Sequence, residues 1–164
     1  MTILVKYEIL STAMKLNSKG RYAVTALLDL VLHQEDAPFS LTEMAKRQNI
    51  PQAYLERLAG QLRAKGLLIS LKGPGGGYIL GLPPEKITVA DIILAVDESL
   101  DTTRCQGQAD CQAGFRCLTH HLWDDLNKTI LDHLNSITLA DLAQRHTVQE
   151  VAQRQNTAQV RIIA

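Results

Sequence analysis

The sequence predicts a mainly α-helical chain with one small β-hairpin. Three observations point there. Apolar residues recur at helical spacing in several short stretches, each bounded by capping residues and breakers. The run Lys72-Gly73-Pro74-Gly75-Gly76-Gly77 has almost no side chains and lies between two short apolar segments. Late in the chain, Leu122, Leu126, Ile130 and Leu134 fall four residues apart in a stretch free of breakers.

The elements follow in order. Residues 1–13 alternate in a strand-like way but have no evident partner, and they are expected to be a non-essential extension, with Met14 able to serve as a start. Ser18 is placed to cap a helix reaching about Gln34, its inward side built from Tyr22, Ala23, Ala26, Leu27, Leu30 and Val31. Asp36–Pro38 ends it. Ser40 and Glu43 have the spacing of a capping box at the head of a short helix, Leu41 to Gln48. After the turn Asn49-Ile50, Pro51 suits the first position of another helix, where it has no hydrogen bond to lose. That helix runs to about Lys65, with Gly66 as its stop and Tyr54, Leu55, Leu58 and Leu62 as its inward stripe.

Leu67–Leu71 and Tyr78–Leu80 read as two strands around the glycine turn, a wing. Pro83-Pro84 separates the halves of the chain. Thr88 with Asp91 caps a helix through Val96, a cysteine loop spans Arg104–Cys117, and a long helix covers roughly Leu118–Asn135. Thr138 with Asp141 caps a last short helix, and the polar, Gln-rich segment from Gln144 is expected to be a poorly ordered tail. Two helices joined by a tight turn and followed by a wing describe a winged helix-turn-helix, here followed by a long dimerisation helix. The expected partition is 1–13 extension, 14–82 winged helix-turn-helix, 83–143 cysteine loop and dimerisation helix, and 144–164 tail.

Composition narrows the class. At 46% hydrophobic and 21% charged, 164 residues are enough to bury a core without disulfide staples. The formal net charge is zero, yet residues 15–80 carry nine Lys/Arg against five Asp/Glu, and residues 81–164 seven against eleven. A basic half followed by an acidic one suits a chain whose first half meets nucleic acid. No apolar stretch is long enough to span a bilayer. The three cysteines are an odd number packed into thirteen residues, which does not suit a disulfide scaffold and suits reduced thiols in the cytoplasm.

In a winged helix-turn-helix the second helix lies in the major groove. Its outward residues Gln52, Ala53, Glu56 and Arg57 include side chains able to read base edges, with Tyr54 beside them. Lys72 and Gly73 stand at the wing tip, for phosphate or the minor groove. Lys19 and Arg21 head the first helix, and Lys46, Arg47, Arg63 and Lys65 add candidate phosphate contacts, which position without specifying. A nucleotide phosphate loop does not fit, because the glycines lie between two strands and no Gly-Lys-Ser/Thr follows.

The cysteine pattern is Cys105-x5-Cys111-x5-Cys117-x2-His120. Three soft thiolates suit an iron–sulfur cluster or zinc, and one imidazole would complete four ligands. The spacing favours His120 over His121, which projects about a third of a turn away. Zinc sites usually pair ligands as short C-x2-4-C knuckles, which are missing here. A [2Fe–2S] cluster takes four ligands, usually all Cys, so a histidine among them leaves a weaker, proton-sensitive bond. His33, His133 and His146 read as surface or packing residues.

These residues resemble a known family. The segments Met14-Lys15-Leu16-Asn17-Ser18-Lys19-Gly20-Arg21-Tyr22-Ala23-Val24, Gly73-Pro74-Gly75-Gly76-Gly77-Tyr78, Val96-Asp97-Glu98-Ser99, Arg104-Cys105-Gln106-Gly107, Cys117-Leu118-Thr119-His120 and Leu122-Trp123 are similar to those of IscR-type iron–sulfur cluster regulators, over about residues 14–145. The resemblance implies a homodimer acting on a double-stranded DNA operator. Each subunit would hold one [2Fe–2S] cluster on Cys105, Cys111, Cys117 and His120. It implies a repressor of the cluster-assembly operon when the cluster is bound and a regulator of other promoters with or without it, served by cluster-assembly or carrier proteins. Glu56 matches the glutamate that helps the family discriminate between site types. Ala53 stands where the family has serine and Lys72 where it has arginine, so sequence preference is expected to differ, since Arg and Lys are not equivalent at a bidentate or groove contact. Two other classes compete. A DNA-binding regulator with structural zinc would be colourless. An iron–sulfur enzyme would need an acid–base constellation, and the sequence offers none.

Overall fold

A computed structural model describes residues 18–33, 38–96, 101, 103, 105 and 107–163. The expected extension 1–13, the segment Met14–Asn17, the end of the first helix at Gln34 and parts of the Val96–Ser99 and Arg104–Gly107 motifs lie outside them.

Helix α1 (Ser18–Leu32) runs into α2 (Leu41–Gln48) and α3 (Gln52–Ala64). Asn49, at φ 52, closes α2 in the left-handed conformation that asparagine tolerates, and buried Ile50 anchors the turn before Pro51. The wing is the antiparallel pair β1 (Leu68–Leu71) and β2 (Gly77–Leu80), with Leu68 opposite Leu80 and Leu71 opposite Gly77. Phe39 bridges to Tyr78 through two backbone hydrogen bonds, 3.2 and 3.0 Å, which seats the wing on the segment before α2. Gly77 is required there: a Cβ would come within 2.5 Å of the Phe39 carbonyl oxygen.

A 3-10 turn (Pro84–Lys86) leads to α4 (Val89–Val96), then α5 (His120–Asn135), α6 (Leu139–Ala143) and α7 (His146–Ile163). Leu27 and Leu30 of α1, Leu55, Leu58 and Leu62 of α3, Ile92 and Val96 of α4, and Leu139 of α6 belong to one buried cluster. The core therefore runs across the Pro83-Pro84 junction, and α4 and α6 close the far side of the helix-turn-helix. At Gly20, a Cβ would meet the Ile93 side chain at 3.3 Å, so a small residue lets α1 and α4 approach closely.

The two threonine caps form as the spacing predicts. Thr88 and Asp91 exchange hydrogen bonds at the head of α4, and Thr138 and Asp141 do the same at α6. The two starts are stitched together, Val89 N–H to Ile137 C=O and Leu139 N–H to Ile87 C=O, each 2.9 Å. The predicted Ser40–Glu43 box does not form, because Ser40 makes no side-chain cap. Its neighbour Phe39 is held by the wing bridge, and the α2 start rests on Met44 N–H to Ser40 C=O, 3.1 Å.

The expected poorly ordered tail is instead α7, an 18-residue helix. Ala152 is buried, and among the described residues polar side chains add to the docking. Gln155 and Gln48 exchange amide hydrogen bonds at 3.1 and 3.3 Å, and the His33 ring meets Asn156 at 3.0 Å. Among the described residues, no helix is long and apolar enough to cross a membrane.

Candidate metal centre and nucleic-acid interface

The loop between α4 and α5 folds back so that Cys105, Cys111 and His120 converge, their ligand atoms within 4.8 Å of one another. His120, 5% exposed, turns Nδ1 toward both thiols, 3.6 Å from Cys105 Sγ and 3.4 Å from Cys111 Sγ. Tight turns make this convergence: Gly107 and Gly114 adopt φ 77 and 85, and Ala109 and Ala113 adopt φ 60 and 50. Ala113-Gly114 is a two-residue hairpin loop closed by paired Gln112–Phe115 hydrogen bonds of 2.9 Å, both central residues at positive φ.

Cys117 stands beside the trio rather than in it. Its backbone N–H reaches Cys111 Sγ at 3.4 Å, and its own Sγ lies 3.8 Å from Thr119 Oγ1. His121 is exposed, its ring edge-on to His120 at 5.7 Å between centroids. His33, His133 and His146 lie outside the group.

All three cysteines are free thiols, and their surroundings differ. The Thr103 hydroxyl draws the Cys105 thiol below its usual range, against the opposing effect of burial. Cys117 is lowered too, by hydrogen bonding with Cys111 and then Thr119. Cys111 goes up: the Cys117 N–H favours its thiolate, but burial and the thiols of Cys117 and Cys105 outweigh it. Two thiols poised toward thiolate, a third between them and a buried imidazole make a soft donor set. The set fits a [2Fe–2S] cluster: three donors already converge, and a fourth lies one hydrogen bond away from Cys111.

Behind the donors stands a support that spacing did not reveal. Asp101 Oδ1 accepts the Thr103 N–H and an Asn127 side-chain N–H, both 2.6 Å. Burial would raise its carboxyl, but the hydrogen bonds from Thr103 and Asn127 prevail and hold it below the ordinary carboxylate range. Asp-x-Thr with this bond is an Asx-turn, legible in principle; the partner on α5 is not.

Helix α3 presents Gln52, Ala53, Glu56 and Arg57 to solvent. Gln52 donates to Glu56 Oε1 at 2.9 Å, so two candidate base readers orient each other. Tyr54 is half-buried, edge-on to Tyr22 at 5.6 Å, with the Arg57 guanidinium 5.1 Å from its ring centroid. It fastens the head of α1, with Arg21 exposed, to the head of α3. Arg63 donates to Ser70 on β1 at 3.4 Å, joining the other end of α3 to the wing, whose tip exposes Lys72 and Gly73. Lys46 and Lys65 are exposed as expected, and Lys19 is half-buried. Arg47, expected among the phosphate contacts, does not face solvent. It points inward and forms a two-pronged pair with Asp29, Nε to Oδ1 and Nη2 to Oδ2, both 2.9 Å, stacked 4.9 Å from the Phe39 ring. A buried carboxylate claims this cation, leaving none of it for phosphate.

Fold and site together define a winged helix-turn-helix DNA-binding regulator that carries a thiolate–imidazole ligand site on a separate loop. Residues 16–145 match the Rrf2 family, described as iron-dependent transcriptional regulators, and the chain belongs to that family. It is 54% identical over 143 residues to the HTH-type transcriptional regulator IscR of Yersinia enterocolitica, covering 87% of each chain. Its identity to the IscR of Erwinia tasmaniensis is 52% over 148 residues, 90% of each. Among solved structures, T. potens IscR superposes with a TM-score of 0.65 at 38% identity, over 78% of this chain and 85% of that one. The global cysteine regulator CymR of B. subtilis gives 0.67 at 32% identity, over 79% and 95%.

Proposed function

We propose that this regulator senses iron–sulfur cluster supply. Cys105, Cys111, Cys117 and His120 would hold one [2Fe–2S] cluster per subunit of a cytoplasmic homodimer. With the cluster bound it represses a cluster-assembly operon, and it acts at other promoters with or without it. Residues 14–82 bind the operator, residues 83–143 carry the ligands and the dimer helix, and residues 1–13 are dispensable. The observation that carries the reading is the convergence of two thiols and a buried imidazole within 4.8 Å, in a member of an iron-dependent regulator family.

When bound, the cluster supplies a redox-active group whose occupancy follows the cell's assembly capacity. The chain does the rest. Cys105 and Cys117 offer thiolates, and His120 offers a neutral nitrogen that binds more weakly than sulfur, so the group can be lost. On the DNA side, Lys19, Arg21, Arg63 and the wing tip Lys72-Gly73 position the duplex, while Gln52, Ala53, Glu56 and Arg57 face the base edges beside Tyr54. Cluster-assembly or carrier proteins are the expected donors.

Anaerobically purified protein is expected to be coloured, with visible thiolate-to-iron absorption. His120→Ala should lower cluster occupancy, and His121→Ala should match the parent. A colourless protein containing stoichiometric zinc would replace the cluster with a structural metal.

A further inference from the structure

The cysteine loop is pinned at both ends to one face of α5. His120 sits at the head of that helix, and Asn127 follows seven residues on, two turns along the same side. Asn127 donates to Asp101 at the entry of the loop, and the same carboxylate oxygen accepts the Thr103 N–H. Thr103, buried, accepts the Gly107 N–H on its hydroxyl at 3.0 Å, fixing the turn that holds the cysteine. A continuous chain of hydrogen bonds thus runs from Asn127 through Asp101 and Thr103 to Gly107, spanning the turn that carries Cys105. An ionised carboxylate suits the middle of it, being acceptor-only and able to take two short bonds at one oxygen.

We infer that Asp101 is a positioning residue of the ligand site: it clips the start of the cysteine loop to α5 so that Cys105 faces His120 before any metal arrives, and it links occupancy of the site to α5. This rests on reading Cys105 and His120 as ligands. Partners behind metal ligands set ligand orientation, and losing one costs about 10–100-fold in metal affinity.

Cobalt(II), titrated into reduced, cluster-free full-length protein, probes the donor set without cluster chemistry, through its thiolate charge-transfer and ligand-field bands. Asp101→Ala should weaken cobalt binding by roughly 10–100-fold. Asp101→Asn keeps an acceptor oxygen and should retain most of the affinity, a rescue that a merely structural role would not give. Asn127→Ala should move in the same direction, and combining it with Asp101→Ala should be no worse than Asp101→Ala alone. In the parent, cobalt should slow amide exchange around Asn127; in Asp101→Ala it should not. Parent-like cobalt affinity in folded Asp101→Ala overturns the inference. Should that variant lose its fold, Asn127→Ala decides, and parent-like affinity there refutes the link. A parent that binds no cobalt refutes the ligand reading and this inference with it. A parent that binds cobalt but is colourless as purified anaerobically retires the cluster and leaves the role of Asp101 standing.

Discussion

At the scale of single residues, the most consequential buried charge lies away from both functional faces. Asp29, 2% exposed on α1, receives both prongs of Arg47 and an amide hydrogen bond from Gln48 at 2.7 Å. The His33 ring lies against the Asp29 carbonyl at 2.7 Å and reaches α7 through Asn156. This network joins α1, α2 and α7 and sets the attitude of the helix that supports α3. Removing one partner of a buried pair leaves an uncompensated charge, which costs about 3–5 kcal/mol. Arg47→Ala is therefore expected to destabilise the fold by about that amount in chemical denaturation. Lys46→Ala, one residue away and exposed, should leave the midpoint nearly unchanged. Equal midpoints for the two variants would remove Asp29–Arg47 from the account of stability.

At the scale of elements, the stitched starts of α4 and α6 hold together two helices of the second half of the chain, and both pack against α1 of the first. The Thr138 N–H and hydroxyl both donate to Asp141, and that backbone hydrogen bond is the main cause holding the Asp141 carboxyl below its ordinary value. A carboxyl depressed in the folded state contributes stability that is fully present above its unfolded pKa and lost as pH falls through the folded one. Asp141→Ala should thus lower Tm at neutral pH, and the gap to the parent should close below roughly pH 4; a gap constant from neutral to acid would count against the cap. Both threonine caps were legible because an i, i+3 exchange is local. Ser40 and Glu43 have comparable spacing yet do not exchange, since a wing more than thirty residues away holds the backbone next to Ser40. Helix α7 was illegible for the same kind of reason. Its docking residues are Gln155 and Asn156, whose partners Gln48 and His33 are 107 and 123 residues distant, and a Gln-rich run with few apolar residues carries no local sign of a surface to dock on. The donor set was readable from cysteine spacing, whereas the Asp101–Asn127 clip depends on where the loop lands on α5.

At the scale of the whole molecule, α5 is the element that a single chain leaves unfinished. Of its described residues only His120 is buried; Leu122 is 61% exposed, and Leu126, Ile130 and Leu134 are half-buried. Trp123 and, just before the helix, Leu118 are also exposed, so the apolar surface extends to the ligand loop. Fully burying a leucine or isoleucine side chain is worth roughly 2 kcal/mol, and covering the one open and three half-buried residues of this stripe would favour association with a second copy. A two-fold pair would present two α3 helices and two wings to a two-fold operator, doubling the basic surplus of residues 15–80. Each phosphate neutralised then releases counterions, so log affinity should fall linearly with log salt at a slope near −0.9 per contact. Leu126→Asp should shift sedimentation to the monomer and lower operator affinity, because one half-site is bound without the other. Its salt slope should shrink by about half, since half the phosphate contacts are gone. Lys72→Ala should instead leave the dimer intact and remove about one contact per subunit from the slope. A Leu126→Asp protein that stays dimeric and keeps the full slope would show that the stripe packs within its own chain and that dimerisation lies elsewhere.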